Sequence, residues 1–129
     1  ERRFELKDFS IQVAGRGRAS ASITLRDGQG EVTDAAAGNG PVDAAYSAVR
    51  RLVGIAPELS SYRILATSER SDAVGEAVIT LRLGDLKAQG RGASTDVIES
   101  SIKAYVNAVN RLYALAAARG ETLNGENAG

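Results

Sequence analysis

The chain contains no cysteine, no histidine, no methionine and no tryptophan, and aromatic residues make up only 5% of it. Without cysteine there are no disulfides and no thiolate chemistry. Without histidine the chain lacks the most common general base and the most common neutral metal ligand. These absences exclude a Ser-His-Asp triad, a Cys-His pair and a histidine-based zinc site. Only carboxylates, lysines and tyrosines are left for acid–base work.

Charge and hydrophobicity argue against two further classes of protein. Sixteen basic residues balance 16 acidic ones, so no global field draws in nucleic acid or an anionic membrane. No apolar run approaches the ~20 residues that a membrane-spanning helix needs, and no signal-peptide pattern opens the chain. The 129 residues suffice for one domain with a core. Because the chain begins at Glu1 and has no methionine, we interpret it as a piece of a longer polypeptide.

Short segments recur in the same order in the two halves of the chain. The matched pairs are "ASITLR" at 21–26 with "AVITLR" at 77–82, Gly38-x-Gly40 with Gly90-x-Gly92, Asp43 with Asp96, and "AVRRL" at 48–52 with "AVNRL" at 108–112. The offsets lie between 52 and 60 residues. Two such short matches can arise by chance, but four in the same order indicate an internal duplication.

Each half is predicted to fold as three strands followed by one helix. In the first half, strands are expected at 3–13, with a kink near Asp8, at 19–28 and, short and weak, at 31–38. The helix is expected to start at Gly40-Pro41 and to end at Gly54. The strands and helix predicted in the second half are 61–68, 73–83, 86–92 and 96–118.

This pattern predicts an α+β fold of two βββα units related by an internal pseudo-two-fold axis, with the helices packed on one side of the sheets. Residues 1–118 form the predicted domain, with unit one at about 3–56 and unit two at about 59–118. The polar, glycine-rich residues 119–129 are expected to be a disordered tail.

The residue types near the helix starts allow several interpretations. The glycine pairs are either phosphate cradles, tight strand-to-helix turns that need positive φ, or helix starts whose amides receive a small carboxylate. Asp43, Asp96 and Glu99 suit helix capping better than catalysis, because the chain offers no nucleophile beside a base. Of the tyrosines, Tyr62 alone lies off a helical apolar stripe, which leaves a ligand role open. These residues alone predict a binding or regulatory domain.

Three segments together resemble the C-terminal regulatory domain of 2-isopropylmalate synthase, with the citramalate synthase domain as a close relative. They are "GNGPVDAAYSAV", "SYRILATSERSDAVGEAVITLRL" and "GRGASTDVIESSIKAYVNAVNRL". The resemblance implies two βββα units that dimerise, in the cytoplasm, and bind leucine as a feedback inhibitor of branched-chain amino acid biosynthesis. It also implies a catalytic TIM barrel outside this chain, an acyltransferase with a divalent metal that condenses acetyl-CoA with 2-oxoisovalerate.

The resemblance further implies an effector pocket between the two units, near the dimer interface. Its expected residues are Gly40, Val42, Asp43, Leu59, Tyr62, Ala66, Ala73 and Gly75. Asp43 is the candidate for the effector's ammonium group. This part of the protein is expected to contain no catalytic residues and to bind no metal or cofactor. The expected partners are leucine, a second copy of the chain and the chain's own barrel. Nucleic acid and membranes are not expected partners. The alternatives are a citramalate synthase domain that binds isoleucine and a plain dimerisation module without effector.

Overall fold

A computed structural model describes residues 3–66 and 74–123 of the chain. These residues form two compact units, one that ends at Ile55 and one that begins at Ala56. The first unit contains β1 (Glu5–Val13), β2 (Ala19–Asp27), β3 (Gly30–Gly38) and α1 (Pro41–Val53), and the second contains β4 (Glu58–Ala66), β5 (Gly75–Leu83), β6 (Leu86–Ser94) and α2 (Val97–Ala118). The predicted α+β fold of two βββα units is confirmed.

Each unit is a three-stranded antiparallel sheet with a helix on one face. The strand orders are β1-β2-β3 and β4-β5-β6, so the first strand of each unit is an edge strand. The helix α1 packs mainly on β3 and β2, and α2 packs mainly on β6 and β5. The helices therefore leave β1 and β4 largely uncovered. The candidate site includes residues of the uncovered strand β4.

The periodicity of the strands follows the sequence closely. Ala21, Ile23 and Leu25 of β2 are buried on one face, as the alternation predicts. The kink predicted near Asp8 is confirmed as a bulge between Leu6 and Asp8, where the register with β2 shifts. The second unit has the same irregularity between Leu59 and Ser61 of β4, which was not predicted.

The prediction of a short, weak third strand in the first half is wrong. The strand β3 has nine residues and pairs with β2 over its whole length, from Ala19 opposite Gly38 to Asp27 opposite Gly30. The small residues of β3 give it a low intrinsic strand propensity, but a hairpin partner on one side and a helix on its face outweigh that preference.

The two helices start in different ways. Gly40 is the N-cap of α1 and Pro41 its first residue, while Gly54 ends it in the left-handed conformation, as predicted. Asp96 is the N-cap of α2 and accepts the N–H of Ile98 at 2.8 Å. A reciprocal capping box is not formed, because Ser94 Oγ accepts the N–H of Asp96 and donates to Glu99.

The glycine pairs matched in the sequence are not structurally equivalent. Gly38 ends β3 and Gly40 has a φ of 115°, so the tight-turn interpretation holds for Gly40. Gly90 and Gly92 instead lie inside β6, where α2 packs directly on the strand. A Cβ at Gly90 would overlap backbone atoms of Ala104 and Ala108. The second pair thus permits close packing of helix on strand and does not start a helix.

The C-terminal end of α2 is tied to the β5–β6 turn. The Arg119 guanidinium donates to both carboxylate oxygens of Asp85 at 3.2 Å, and the N–H of Gly120 bonds Ala117 O at 3.0 Å. Residues 119–121 therefore belong to the second unit and are bonded to its β5–β6 turn and to the last turn of α2. Residues 124–129 lie outside the described residues, and the disorder predicted there stays a prediction. None of the helices in the described ranges is long and apolar enough to cross a membrane.

We expect Asp85→Asn to lower the melting temperature slightly near neutral pH, by roughly 1–2 °C. The hydrogen bond and the charge of Arg119 hold the pKa of Asp85 below 3.8, its ordinary value. Because the pKa of Asp85 is lower in the folded state, the ionised carboxylate stabilises the fold at pH values above 3.8. This contribution to stability disappears as the pH falls through the folded-state pKa. Thermal unfolding of both proteins across the acid range should show the difference vanishing well below pH 3.8. A difference that persists there would show that the Arg119 pair is not its cause.

Candidate functional site

The residues expected in the effector site fall into two groups. Gly40, Val42 and Asp43 lie at the start of α1 in the first unit. The remaining five belong to the second unit or to the stretch before β5: Leu59, Tyr62, Ala66, Ala73 and Gly75. Of these, Ala73 lies outside the described residues.

The start of α1 presents backbone amides in a fixed geometry. Gly40 has φ 115° and ψ 166°, and its carbonyl accepts the N–H of Ala44 at 3.0 Å. Pro41 has no N–H, so Val42 and Asp43 supply the first-turn amides, which have no acceptor inside the helix. Such amides, together with the positive end of the helix dipole, favour an anion or a carboxylate.

Asp43 is exposed and anchors the turn that precedes the helix. Its Oδ2 accepts the N–H of Asn39 at 2.9 Å. The carboxylate also lies close to Gly38, where a Cβ would be 2.5 Å from Oδ2. A carboxylate has about four acceptor positions and this bond uses one, so Asp43 combines a structural bond with a negative charge at the helix start.

The edge strand β4 carries a row of half-exposed apolar side chains. Leu59 pairs with Leu81 and Tyr62 with Ile79, both fully buried residues of β5 on the face that α2 covers. Cross-strand partners share a face of the sheet, so Leu59 and Tyr62 lie on that face too. They are nonetheless 43% and 38% exposed, and Ile64 beside them is 42% exposed. Ala66 and Gly75 pair at the end of the same ladder, adjoining the row.

A hydrogen bond between Tyr62 and Ser101 fixes one residue of this row. The Tyr62 hydroxyl lies 2.7 Å from Ser101 Oγ, and Ser101, in the second turn of α2, is fully buried. The sequence interpretation missed Ser101. The signal was present, because Ser101 lies four residues before Tyr105 on the apolar stripe of the helix, where a polar side chain needs a partner.

The other tyrosines confirm the contrast drawn from the sequence. Tyr46, Tyr105 and Tyr113 are buried in the cores of their units, as their helical stripes predict, while Tyr62 is partly exposed. Of the four tyrosines, Tyr62 is therefore the one whose ring is accessible to a ligand.

The carboxylates weighed for catalysis make local structural bonds. Asp43 accepts from Asn39 N–H, Asp96 from Ile98 N–H, and Glu99 from the Ser94 hydroxyl. These contacts favour the capping interpretation over a catalytic pair. Within the described ranges, no group of three or more carboxylates is arranged to hold a metal ion.

An open cavity of about 590 Å³ lies elsewhere in the first unit, at the turn between β1 and β2. Its lining includes Val13, Arg16, Arg18 and Ala37, and none of the eight residues expected to bind the effector. The cavity is therefore distinct from the helix start and from the apolar row.

The fold and these two groups define a duplicated α+β domain with an amide-rich helix start and an exposed apolar edge strand. The chain matches the model of the LeuA allosteric (dimerisation) domain over residues 1–113 and belongs to that family. The resemblance seen in the sequence is thereby confirmed.

Several curated relatives carry the same name, 2-isopropylmalate synthase. The protein of Ruminiclostridium cellulolyticum is 41% identical over 108 residues, which cover 84% of this chain and 21% of the relative. The protein of Erwinia tasmaniensis is 42% identical over 110 residues, 85% of this chain and 21% of the relative. The Geobacillus protein is 36% identical over 125 residues, 96% of this chain and 23% of the relative. The chain thus spans about a fifth of the length of these relatives.

Proposed function

We propose that the chain is the regulatory domain of a 2-isopropylmalate synthase and binds L-leucine as a feedback inhibitor of leucine biosynthesis. The observation that carries the proposal is the family match over residues 1–113, to a domain described as allosteric. The relatives that share 36–42% identity with the chain are all named for this transferase. The residues of the two groups supply chemistry that suits a branched-chain amino acid.

A free amino acid presents three chemical groups, and each has a counterpart in the chain. Its carboxylate suits the first-turn amides of Val42 and Asp43. Its ammonium group suits the Asp43 carboxylate, which is exposed at the same helix start. Its branched side chain suits the half-exposed apolar row that includes Leu59 and Tyr62, since removing such a side chain from water contributes roughly 1.5–3 kcal/mol.

The whole protein would combine this domain with an N-terminal catalytic barrel. In the proposal, that barrel condenses acetyl-CoA with 2-oxoisovalerate with the help of a divalent metal, in the cytoplasm, and the regulatory domain forms the homodimer. Leucine inhibits if it binds the less active state of the enzyme more tightly than the more active state. A coupling free energy of ~1–3 kcal/mol would be ordinary for such a mechanism.

Titration calorimetry of the chain with leucine, isoleucine and valine tests the proposal. We expect leucine to bind with a measurable heat and to raise the melting temperature, and we expect the other two to bind more weakly. Tighter binding of isoleucine would favour the citramalate synthase alternative. If none of the three produces heat or a thermal shift, the plain dimerisation module is the better description, and sedimentation would then still show a dimer.

We expect Asp43→Asn to weaken leucine binding by about ten-fold, which is 1.4 kcal/mol. The amide oxygen of Asn still accepts the Asn39 N–H, so the turn is retained while the charge that faces the ammonium group is lost. Asp27→Asn is the matched control, because Asp27 makes the same kind of bond, to the N–H of Gln29 at 2.8 Å, in a hairpin turn of the same unit. Equal affinities for wild type, Asp43→Asn and Asp27→Asn would remove Asp43 from the site.

A further inference from the structure

The two units differ in chemistry at one equivalent place. Tyr62 of β4 follows the bulge and pairs with Ile79, and Phe9 of β1 follows the equivalent bulge and pairs with Ile23. The helices differ in the same way. The fifth residue of α2 is Ser101, and the fifth residue of α1 is Ala45. The second unit thus has a pair of hydroxyl groups where the first has none.

The geometry of this pair joins a buried anchor to a partly exposed ring. Ser101 is 0% exposed and belongs to a helix of 22 residues packed on its sheet, whereas Tyr62 is 38% exposed on the edge strand. A separation of 2.7 Å is the usual length of a hydrogen bond between hydroxyl groups. Because the serine is held by the helix, the bond limits the directions that the tyrosine ring can take.

We propose that Ser101 is a positioning residue that sets the side-chain selectivity of the amino-acid site by holding the ring of Tyr62. This inference rests on the proposed function. Leucine and isoleucine have the same atoms and differ only in where a methyl group branches. A pocket separates such isomers by the shape of its walls, and only a wall that does not move can exclude one of them. An unrestrained ring would turn aside and admit both.

The test compares leucine and isoleucine affinities in wild type, Ser101→Ala, Tyr62→Phe and the double variant, by calorimetry on the whole chain. We expect the leucine-to-isoleucine affinity ratio to fall about five-fold in each single variant. This is less than the roughly 10–200-fold that one extra or missing methylene produces in a hydrophobic pocket, because the ring is released but not removed. The double variant should show no further fall, because both changes remove the same bond. Ser61→Ala is the matched control: Ser61 adjoins Tyr62, is exposed, and bonds the Thr80 hydroxyl at 3.1 Å.

The ratio separates positioning from a merely structural role. A general loss of stability would weaken both amino acids alike and leave the ratio unchanged, and that result would overturn the inference while the proposed function stands. A further fall of the ratio in the double variant would also overturn it, because Tyr62 would then act without Ser101. If Ser101→Ala does not fold, Tyr62→Phe decides alone. If wild type binds neither amino acid, the proposed function fails, and this inference fails with it.

Discussion

We expect Gly90→Ala to lower the free energy of unfolding by about 3 kcal/mol and the melting temperature by roughly 10 °C. Gly90 lies inside β6, directly beneath α2. A Cβ at this position would overlap the carbonyl oxygen of Ala104 and the backbone nitrogen of Ala108, and would lie 2.8 Å from Ala108 Cβ. Two of these three atoms belong to the helix backbone and cannot rotate away, so α2 would have to lift from the strand that it covers most.

Gly75→Ala is the matched control for this experiment. Gly75 lies in β5 of the same sheet, and the nearest atom to a Cβ there is the Ser94 carbonyl oxygen at 3.8 Å, an ordinary contact. We expect its stability to stay within about 0.5 kcal/mol of wild type. Both variants are measured by thermal and urea unfolding without ligand, since Gly75 belongs to the proposed site. Equal stability of the two variants would contradict the close packing of α2 on β6.

The matched glycine pairs show which features of the fold could not be predicted from the sequence. The strands and helices were predictable from local sequence patterns. The alternation of apolar residues identified the buried face of β2, and Gly40, Pro41 and Gly54 marked the two ends of α1. The match of Gly38-x-Gly40 with Gly90-x-Gly92 was based on residue type and did not take into account the positions of these glycines in their strands. The strands β2 and β5 begin at Ala19 and Gly75, 56 positions apart, and the same shift carries Gly38 to Ser94. The repeated strands therefore define the duplication. Gly38, Gly90 and Gly92 each allow a helix backbone to approach the strand closely, but they occupy different register positions. Gly40 differs from all three in its positive φ at a helix start.

The candidate site was only partly predictable for a similar reason. Tyr62 was recognisable as a candidate ligand-binding residue because it lies outside the apolar stripes of the helices. Packing of a helix on its sheet therefore does not account for a tyrosine at that position. Its bond to Ser101 joins positions 39 residues apart and depends on how far α2 reaches toward the edge strand. No local periodicity contains that information. The exposure of Leu59 was hidden in the same way, because the sequence does not say that α2 leaves β4 largely uncovered.

The second large effect is expected at the start of α1. Gly40→Ala should weaken leucine binding by more than ten-fold and lower the free energy of unfolding by roughly 1–3 kcal/mol. A Cβ at Gly40 would meet no atom within 4 Å, so the substitution is not a steric clash. Its cost comes from the backbone, because φ 115° and ψ 166° lie in a region that essentially glycine alone adopts. Relief of that strain would turn the peptide before Pro41 and shift the amides of Val42 and Asp43.

Gly54→Ala separates loss of binding from loss of stability. Gly54 ends the same helix with φ 79° and ψ 11°, a left-handed conformation that also disfavours alanine. We expect this variant to lose about 1 kcal/mol of stability and to keep its leucine affinity within about two-fold, because it lies at the opposite end of α1. Calorimetry and thermal unfolding on both variants give the comparison. If leucine affinity fell equally in the two, general destabilisation would explain the loss, and the amides at the helix start would have no part in binding.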